Sequence, residues 1–222
     1  ASGGLRATAG QIGEGLRFAR SKPWIWATLV SAMLSLLVFI GPVEVLVPYI
    51  VKNRLGLGPE AFGGILAMGG VGSVAMALAI GFLGLPGRRI TVMYVAWSAG
   101  VAVIALYGLM TALWQGLLIA FALQACFQLG SVIWTTLLQQ HVPRELLGRI
   151  SSLDWLVSTG LVPVSYALTG PVAAVLGPES TVVWGGVLGA LLMGGLLFVP
   201  GVRDPERGAA STASGLEPGK VS

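Results

Sequence analysis

Long apolar runs without a charge limit this chain's fold more than any other feature of its sequence. The stretch from Ile65 to Leu83 carries no charged residue and does not alternate between polar and apolar positions. A membrane-spanning helix needs about 20 mostly apolar residues, whereas a barrel strand needs only about 10 alternating ones. Charged residues make up 10% of the chain, and a water-soluble domain carries roughly 25%. We therefore expect an all-α, polytopic membrane protein.

Six segments meet the length requirement for a span and form one predicted transmembrane domain, residues 23–200. The first opens with Pro23 and places Trp24 and Trp26 where aromatic side chains meet the membrane surface. Residues 1–22 predict a cytoplasmic linker that follows an earlier part of a longer protein, and residues 201–222 predict a disordered cytoplasmic tail. The predicted spans are about 23–50, 61–83, 90–109, 114–138, 150–176 and 181–199.

The basic residues predict the orientation of the chain in the cell membrane. Of the 13 Lys and Arg residues, all but Lys52 and Arg54 fall on one side if the spans alternate in direction. Cytoplasmic loops carry the excess of basic residues, and an even number of spans places both termini on the same side. We expect both termini in the cytoplasm. The net charge of +4 is then explained by the membrane, and no nucleic-acid partner is expected.

Glu44 and Asp154 are the ionisable residues that fall within the predicted spans. Charges in a bilayer are costly and normally face a bundle interior or a water-filled path. Glu44 lies between Pro42 and Pro48, which should loosen the helix, and it could bind a cation or carry a proton. Alternatively, it reaches the outer surface or pairs with Lys52 or Arg54.

Asp154 lies four residues after Ile150, at the expected start of the fifth span. A carboxylate in the first turns of a helix is stabilised by the helix dipole, so a structural role is favoured there over ion coupling.

Two polar stripes recur at helical spacing on the fourth and fifth spans. Such stripes either line a cavity or join helices by hydrogen bonds, and the sequence leaves both functions open. Glycine-rich stretches in the second and sixth spans predict close helix packing. The stripe on the fourth span is Gln124, Gln128, Ser131 and Thr135, and that on the fifth is Asp154, Ser158, Ser165 and Thr169.

The sequence carries none of the motifs of a common enzyme or metal site. It has no phosphate-binding Gly-rich Lys loop, no HExxH and no Gly-x-Ser-x-Gly. His141 is the single histidine and Cys126 the single cysteine, so neither has a like partner for a metal ion or a disulfide. We expect no enzyme activity, no metal and no cofactor.

Two loops and the start of the fifth span carry a resemblance to a known family. The turn Gly87-Arg88-Arg89, the loop Val142-Pro143-Arg144-Glu145-Leu146-Leu147-Gly148-Arg149, and the runs Gly148–Trp155 and Ala167–Pro171 resemble the C-terminal half of a major facilitator superfamily transporter. The likeness extends from about Glu14 to Glu206 and is nearest to the drug–proton antiporter branch with macrolide-efflux and siderophore-export proteins.

The resemblance implies a half-bundle of six helices whose N-terminal six-helix partner half is missing from this chain. It implies that the first and fourth spans line the substrate path, with Glu44, Pro48, Gln124, Gln128 and Ser131 as cavity residues. Thr135, Asp154 and Ser158 extend the predicted path along the two polar stripes. The resemblance further assigns a cytoplasmic gate to Arg88, Arg89, Arg144 and Arg149.

We therefore expect a secondary active transporter that exports small amphipathic molecules by alternating access, driven by a gradient of protons or another coupling ion. The alternative is a self-contained six-helix channel or membrane scaffold that works without a partner half.

Overall fold

The computed structural model describes residues 16–203 and 206, and within them the regular structure is helical throughout. In this described part, six helices are long and apolar enough to cross a membrane, which confirms the predicted all-α fold and the predicted number of span-length helices. Residues 1–15, 204–205 and 207–222, which hold most of the predicted linker and tail, lie outside the described residues. The helices are α1 (Pro23–Asn53), α2 (Pro59–Leu83), α3 (Arg89–Leu109), α4 (Leu113–His141), α5 (Arg144–Leu176) and α6 (Pro178–Phe198).

Prolines and glycines mark the helix ends. Pro23, Pro59 and Pro178 each occupy a first helical position, where the missing N–H costs nothing and the fixed φ suits the helix. Gly177 has φ 85° and is the single residue between α5 and α6. A side chain would be strained at this φ, so glycine permits the abrupt turn.

The fifth helix begins earlier than the sequence indicated. It starts at Arg144 rather than near Ile150, and α4 ends at His141 rather than near residue 138, so the connection between the two predicted spans shrinks to Val142 and Pro143. Hydropathy finds only the part of a helix that lies in hydrocarbon, and the charged first turns of α5 extend beyond that part.

Several helices contain irregular turns. In α1, Pro42–Leu46 form a π-helical turn between the α-helical segments Pro23–Gly41 and Val47–Asn53. In α5 the α-helix is interrupted at Leu161, two residues before Pro163, which has no N–H to continue the ladder.

Four helices form the centre of the bundle. α3 packs along α4 and α6, and α6 packs along α1. α1 and α4 meet through their side chains, with Trp24 5.7 Å from Trp134 and Phe39 6.1 Å from Phe127 between ring centroids. α2 packs mainly against α4, and α5 mainly against α1, so these two helices flank the central four.

Apolar side chains fill the interior at both ends of the bundle. We call the end that holds Arg88, Arg89, Arg144 and Arg149 the basic end. Its core includes Trp24, Tyr94 and Ile133. The core at the opposite end includes Ile50, Ile104 and Ile119.

Glycine allows two of the closest approaches between helices. At Gly72 of α2 an added Cβ would overlap the backbone of Phe121 in α4, and at Gly130 of α4 it would overlap the indole of Trp97 in α3. Small residues permit such contacts, and lipid supplies no hydrophobic force of its own to join helices.

Beyond α6 the chain returns to the start of α3. The Glu206 carboxylate accepts hydrogen bonds from the Thr91 amide (2.7 Å) and the Thr91 hydroxyl (2.9 Å). The Thr91 amide is one of the four N-terminal N–H groups without a partner inside a helix, so Glu206 caps α3 from a distant part of the sequence.

Candidate functional site

The candidate site is built on the π-helical turn of α1. Two prolines set this turn apart, because in an α-helix Pro42 would donate to the Val38 carbonyl and Pro48 to the Glu44 carbonyl, and neither has an N–H. The Val38 carbonyl is covered by α6, where a Cβ at Gly185 would lie 3.2 Å from its oxygen. π-Helical turns are found frequently at functional sites. The loosening that the sequence predicted around Glu44 is therefore present.

Glu44 opens into a cavity between α1, α2 and α4. The cavity has a volume of about 130 Å³, and Gln124 of α4 also lines it. Most of the other lining residues are apolar, and the Tyr107 ring from α3 belongs to them. The structure thus joins two residues predicted from separate spans, and it gives their polar groups an apolar surrounding.

The basic residues nearest to Glu44 in sequence have other positions. Arg54 donates from Nη1 to the Gly108 carbonyl at 2.9 Å, and Lys52 is exposed at the end of α1. Among the described residues no ion pair joins Glu44 to Lys52 or Arg54. The pairing alternative from the sequence is therefore not what the structure contains; Glu44 is exposed and lines the cavity.

The polar stripe on α4 lies on an open face. Gln124, Ser131 and Thr135 are exposed, and Gln128 is half-buried. We call this surface, together with Glu44 of α1, the front face. Because none of these four side chains forms a hydrogen bond to another described helix, the cavity-lining alternative fits the α4 stripe, although the Gln124 stem packs against Gly69 of α2.

The stripe on α5 has a different function over much of its length. Ser165 and Thr169 are buried, and the Ser165 hydroxyl oxygen accepts a hydrogen bond from the Gly41 amide of α1 at 2.9 Å. The Thr169 hydroxyl donates to the Ser165 carbonyl at 2.8 Å. These residues join α5 to α1, so the helix-joining alternative fits them, while Ser158 is half-buried nearer the basic end.

Asp154 is held by an aromatic donor rather than by a helix end. The Trp134 indole N–H donates to the Asp154 carboxylate at 3.2 Å, which links α4 to α5. Because α5 begins at Arg144, Asp154 lies about three turns into the helix. The helix dipole acts mainly on the first turn, so the expected dipole interaction is wrong and the indole contact replaces it.

The four predicted gate arginines all lie at the basic end, but in different surroundings. Arg89 donates to the Gln140 side-chain oxygen at 2.6 Å and joins the start of α3 to the end of α4. Arg88 and Arg144 are exposed, and Arg149 is half-buried and makes contact with a neighbouring group. Pro48, which was predicted to line the substrate path, is half-buried and lies two residues after the π-helical turn of α1.

An aromatic cluster at the basic end was not anticipated from the sequence. Trp24 packs edge-on against both Trp134 and His141, with centroid distances of 5.7 Å and 5.8 Å, and Trp97 lies 6.4 Å from Trp134. We call Trp24, Trp97, Trp134 and His141 the aromatic cluster. In the sequence, each of these rings falls nearer the same end of its predicted span, and this is the feature that could have indicated a cluster. A similar depth in the membrane does not by itself show that the rings are in contact.

Within residues 16–203 and 206, no group of three His, Cys, Asp or Glu side chains is placed to hold a metal ion. Comparisons with protein families, with curated proteins and with solved structures find no match to this chain.

Proposed function

We propose that this chain is one six-helix half of a secondary active transporter, and that its front face lines the path of a small amphipathic molecule. The observation that carries the proposal is the cavity shared by Glu44 and Gln124. An ionisable group exposed on an otherwise apolar membrane bundle is a functional-site candidate by default. Its position on a π-helical turn between two prolines is similar to the irregular helices on which transporters build their binding sites.

The pattern of helix packing supports the proposal. If α1, α2 and α3 are exchanged with α4, α5 and α6, the strong contacts map onto each other: α2–α4 onto α5–α1, and α3–α4 onto α6–α1. The α3–α6 contact maps onto itself. Successive spans run in opposite directions, so the two triplets are inverted relative to each other. Inverted triplets of this kind occur within each half of major facilitator transporters.

Small residues on the flanking helices support a second half as partner. α2 and α5 are the least buried of the spans, and along each a stripe of mostly small residues is exposed. Cβ atoms added at Gly63, Gly70, Gly160 or Gly170 would meet no atom within 4 Å, so these glycines serve no contact inside the described chain. The stripes are Gly63, Ala67, Gly70, Val74, Ala77 and Gly81 on α2, and Gly160, Pro163, Ala167, Gly170 and Ala174 on α5.

These stripes would let a second bundle approach closely on both sides of the front face. Glu44 and Gln124 would then lie between the two halves.

The aromatic cluster joins α1 to α4 at the basic end, and we propose that it holds this half rigid while the halves rock against each other. Alternating access requires rigid halves around a fixed site. Apolar side chains fill the described bundle, and this favours a path between two halves over a pore through one.

The proposed coupling step is the protonation of Glu44. The test uses the native protein that contains this chain, reconstituted into liposomes with an imposed pH gradient and with ethidium as an amphipathic probe. Glu44→Gln keeps the shape of the side chain but cannot release a proton, so we expect gradient-driven ethidium movement to cease while membrane insertion is unchanged. Glu60→Gln is the matched control, because Glu60 is also an acid at the same end of the bundle and does not line the cavity.

Two results would contradict the proposal. In one, Glu44→Gln moves ethidium at the rate of the unaltered protein, which would remove Glu44 from the coupling step. In the other, the unaltered protein produces neither ethidium movement nor proton flux, measured with a pH-sensitive dye in the liposome lumen. That result would favour the channel or scaffold alternative.

A further inference from the structure

A second cavity, larger and more apolar than the first, lies between α1 and α5 at the basic end. It has a volume of about 530 Å³, within the range of sites that hold small molecules. Trp26, Val30 and Met33 of α1 form one wall, and Leu153 and Val157 of α5 form the other. Trp26 and Val30 are 40% and 42% exposed. The cavity is therefore an open groove, which we call the α1–α5 groove.

The groove carries charge at one end only. Arg20 belongs to its lining and lies just before the first turn of α1, and the exposed residues Arg17 and Lys22 are near it in sequence. Among the described residues no acidic side chain is part of the lining, and Asp154, next to Leu153, is hydrogen-bonded to the Trp134 indole of α4. The groove is thus basic at the end near Arg20 and apolar along the rest of its length, which we call its apolar body.

The length of the groove matches one leaflet of a bilayer. From the start of α1 at Pro23 to Met33 the helix advances by 10 residues, which corresponds to about 15 Å. Half of a bilayer's hydrocarbon core is about 15 Å thick, and Arg20, which precedes the extended residue Lys22, lies before this length of helix. Trp26, in the first turn of α1, lies at the depth where indole rings meet headgroups.

We propose that the α1–α5 groove holds one acyl chain of an anionic phospholipid, with the phosphate against Arg20. Basic pockets between membrane helices bind anionic headgroups, and the apolar walls replace the lipid neighbours of the chain. The occupant enters from the leaflet at the basic end. This proposal needs only the membrane architecture and does not depend on transport.

The test measures lipid retained by the delipidated native protein in detergent, by native mass spectrometry, as dioleoyl phosphatidylglycerol is added. We expect retention of this lipid above that of dioleoyl phosphatidylcholine and no retention of glycerol phosphate alone. Arg20→Gln should weaken the apparent affinity for phosphatidylglycerol about fivefold, the effect of one basic residue near an anionic headgroup. Lys52→Gln, at the opposite end, should leave it unchanged.

A second pair of variants tests the apolar body of the groove. Val30→Trp should fill it and abolish retention of phosphatidylglycerol, whereas Val95→Trp, on an exposed position of α3 (52% exposed), should not. If Val30→Trp is not recovered folded, phosphatidylglycerol brominated on its acyl chains replaces it. This lipid should quench tryptophan fluorescence, and Trp26→Phe should remove that part of the quenching.

Three results would overturn the proposal: equal retention of the two lipids, equal affinity of Arg20→Gln and the unaltered protein, or binding of glycerol phosphate as tight as that of the lipid. Retention that persists in Val30→Trp, or quenching that persists in Trp26→Phe, would also overturn it.

Discussion

Two glycines on the same helix should respond in opposite ways to the same substitution. Gly72 of α2 is buried, and a Cβ there would overlap the Phe121 carbonyl oxygen and lie 3.0 Å from the Phe121 Cα in α4. Gly70 is exposed, and a Cβ there would meet no atom within 4 Å. Gly72→Ala must therefore push α2 away from α4, whereas Gly70→Ala changes no contact inside the chain.

The magnitudes follow from these contacts. A backbone atom cannot rotate aside as a side chain can, so the overlap at residue 72 should cost about 1–3 kcal/mol of unfolding free energy, as overpacking does elsewhere. Gly70→Ala should be neutral or stabilise α2 by up to about 1 kcal/mol, because alanine is the better helix former. We expect the two variants to differ by about 2 kcal/mol or more.

The assay is reversible unfolding of this 222-residue chain by itself in mixed micelles, where no second half covers Gly70. Unfolding is monitored by far-ultraviolet circular dichroism. The result that would refute the reasoning is equal stability of the two variants, or a greater loss for Gly70→Ala than for Gly72→Ala. Either would mean that α2 presents a different face to α4.

Three further predictions concern contacts at the basic end and the orientation of the chain. Trp134→Phe keeps a ring in the aromatic cluster but removes the indole donor from Asp154, and it should cost about 1–3 kcal/mol, measured in the same unfolding assay; no loss would show that the contact is not formed. Glu206→Ala removes the cap on Thr91 and should cost about 0.5–2 kcal/mol and speed amide hydrogen exchange in the first turn of α3, while unchanged exchange would contradict the cap. In a Cys126→Ser background, a cysteine at Lys52 should react with an impermeant thiol reagent from outside the cell and a cysteine at Arg88 should not; the reverse pattern would invert the predicted orientation.

The helices could be predicted from the sequence because hydrocarbon imposes one rule on every span. In a bilayer each backbone group must be bonded within its own helix, so an apolar run such as Ile65–Leu83 has little choice of structure. Outside the hydrocarbon, water can bond to the backbone, so this requirement no longer determines where a helix begins or ends. The start of α5 at Arg144 was missed for this reason, and the dipole interaction expected for Asp154 was wrong with it.

The site could be predicted only in part, because spacing shows which residues share a face but not what that face meets. Gln124 and Ser165 lie on stripes with similar spacing, yet Gln124 lines a cavity and Ser165 is bonded to Gly41 of α1. The difference arises from helix packing across more than 100 residues of sequence, since Gly41 and Ser165 are 124 positions apart. The π-helical turn was easier to anticipate, because Pro42 and Pro48 act on their own helix.

The central claim is that this chain is one of two six-helix halves, and the intact mass of the native gene product, extracted from its own membrane, tests it most directly. The proposal predicts a product near twice the 22.9 kDa of this chain, with a second bundle to cover the front face and the α2 and α5 stripes. A native product near 22.9 kDa would contradict it, and the self-contained channel or scaffold would then become the leading explanation.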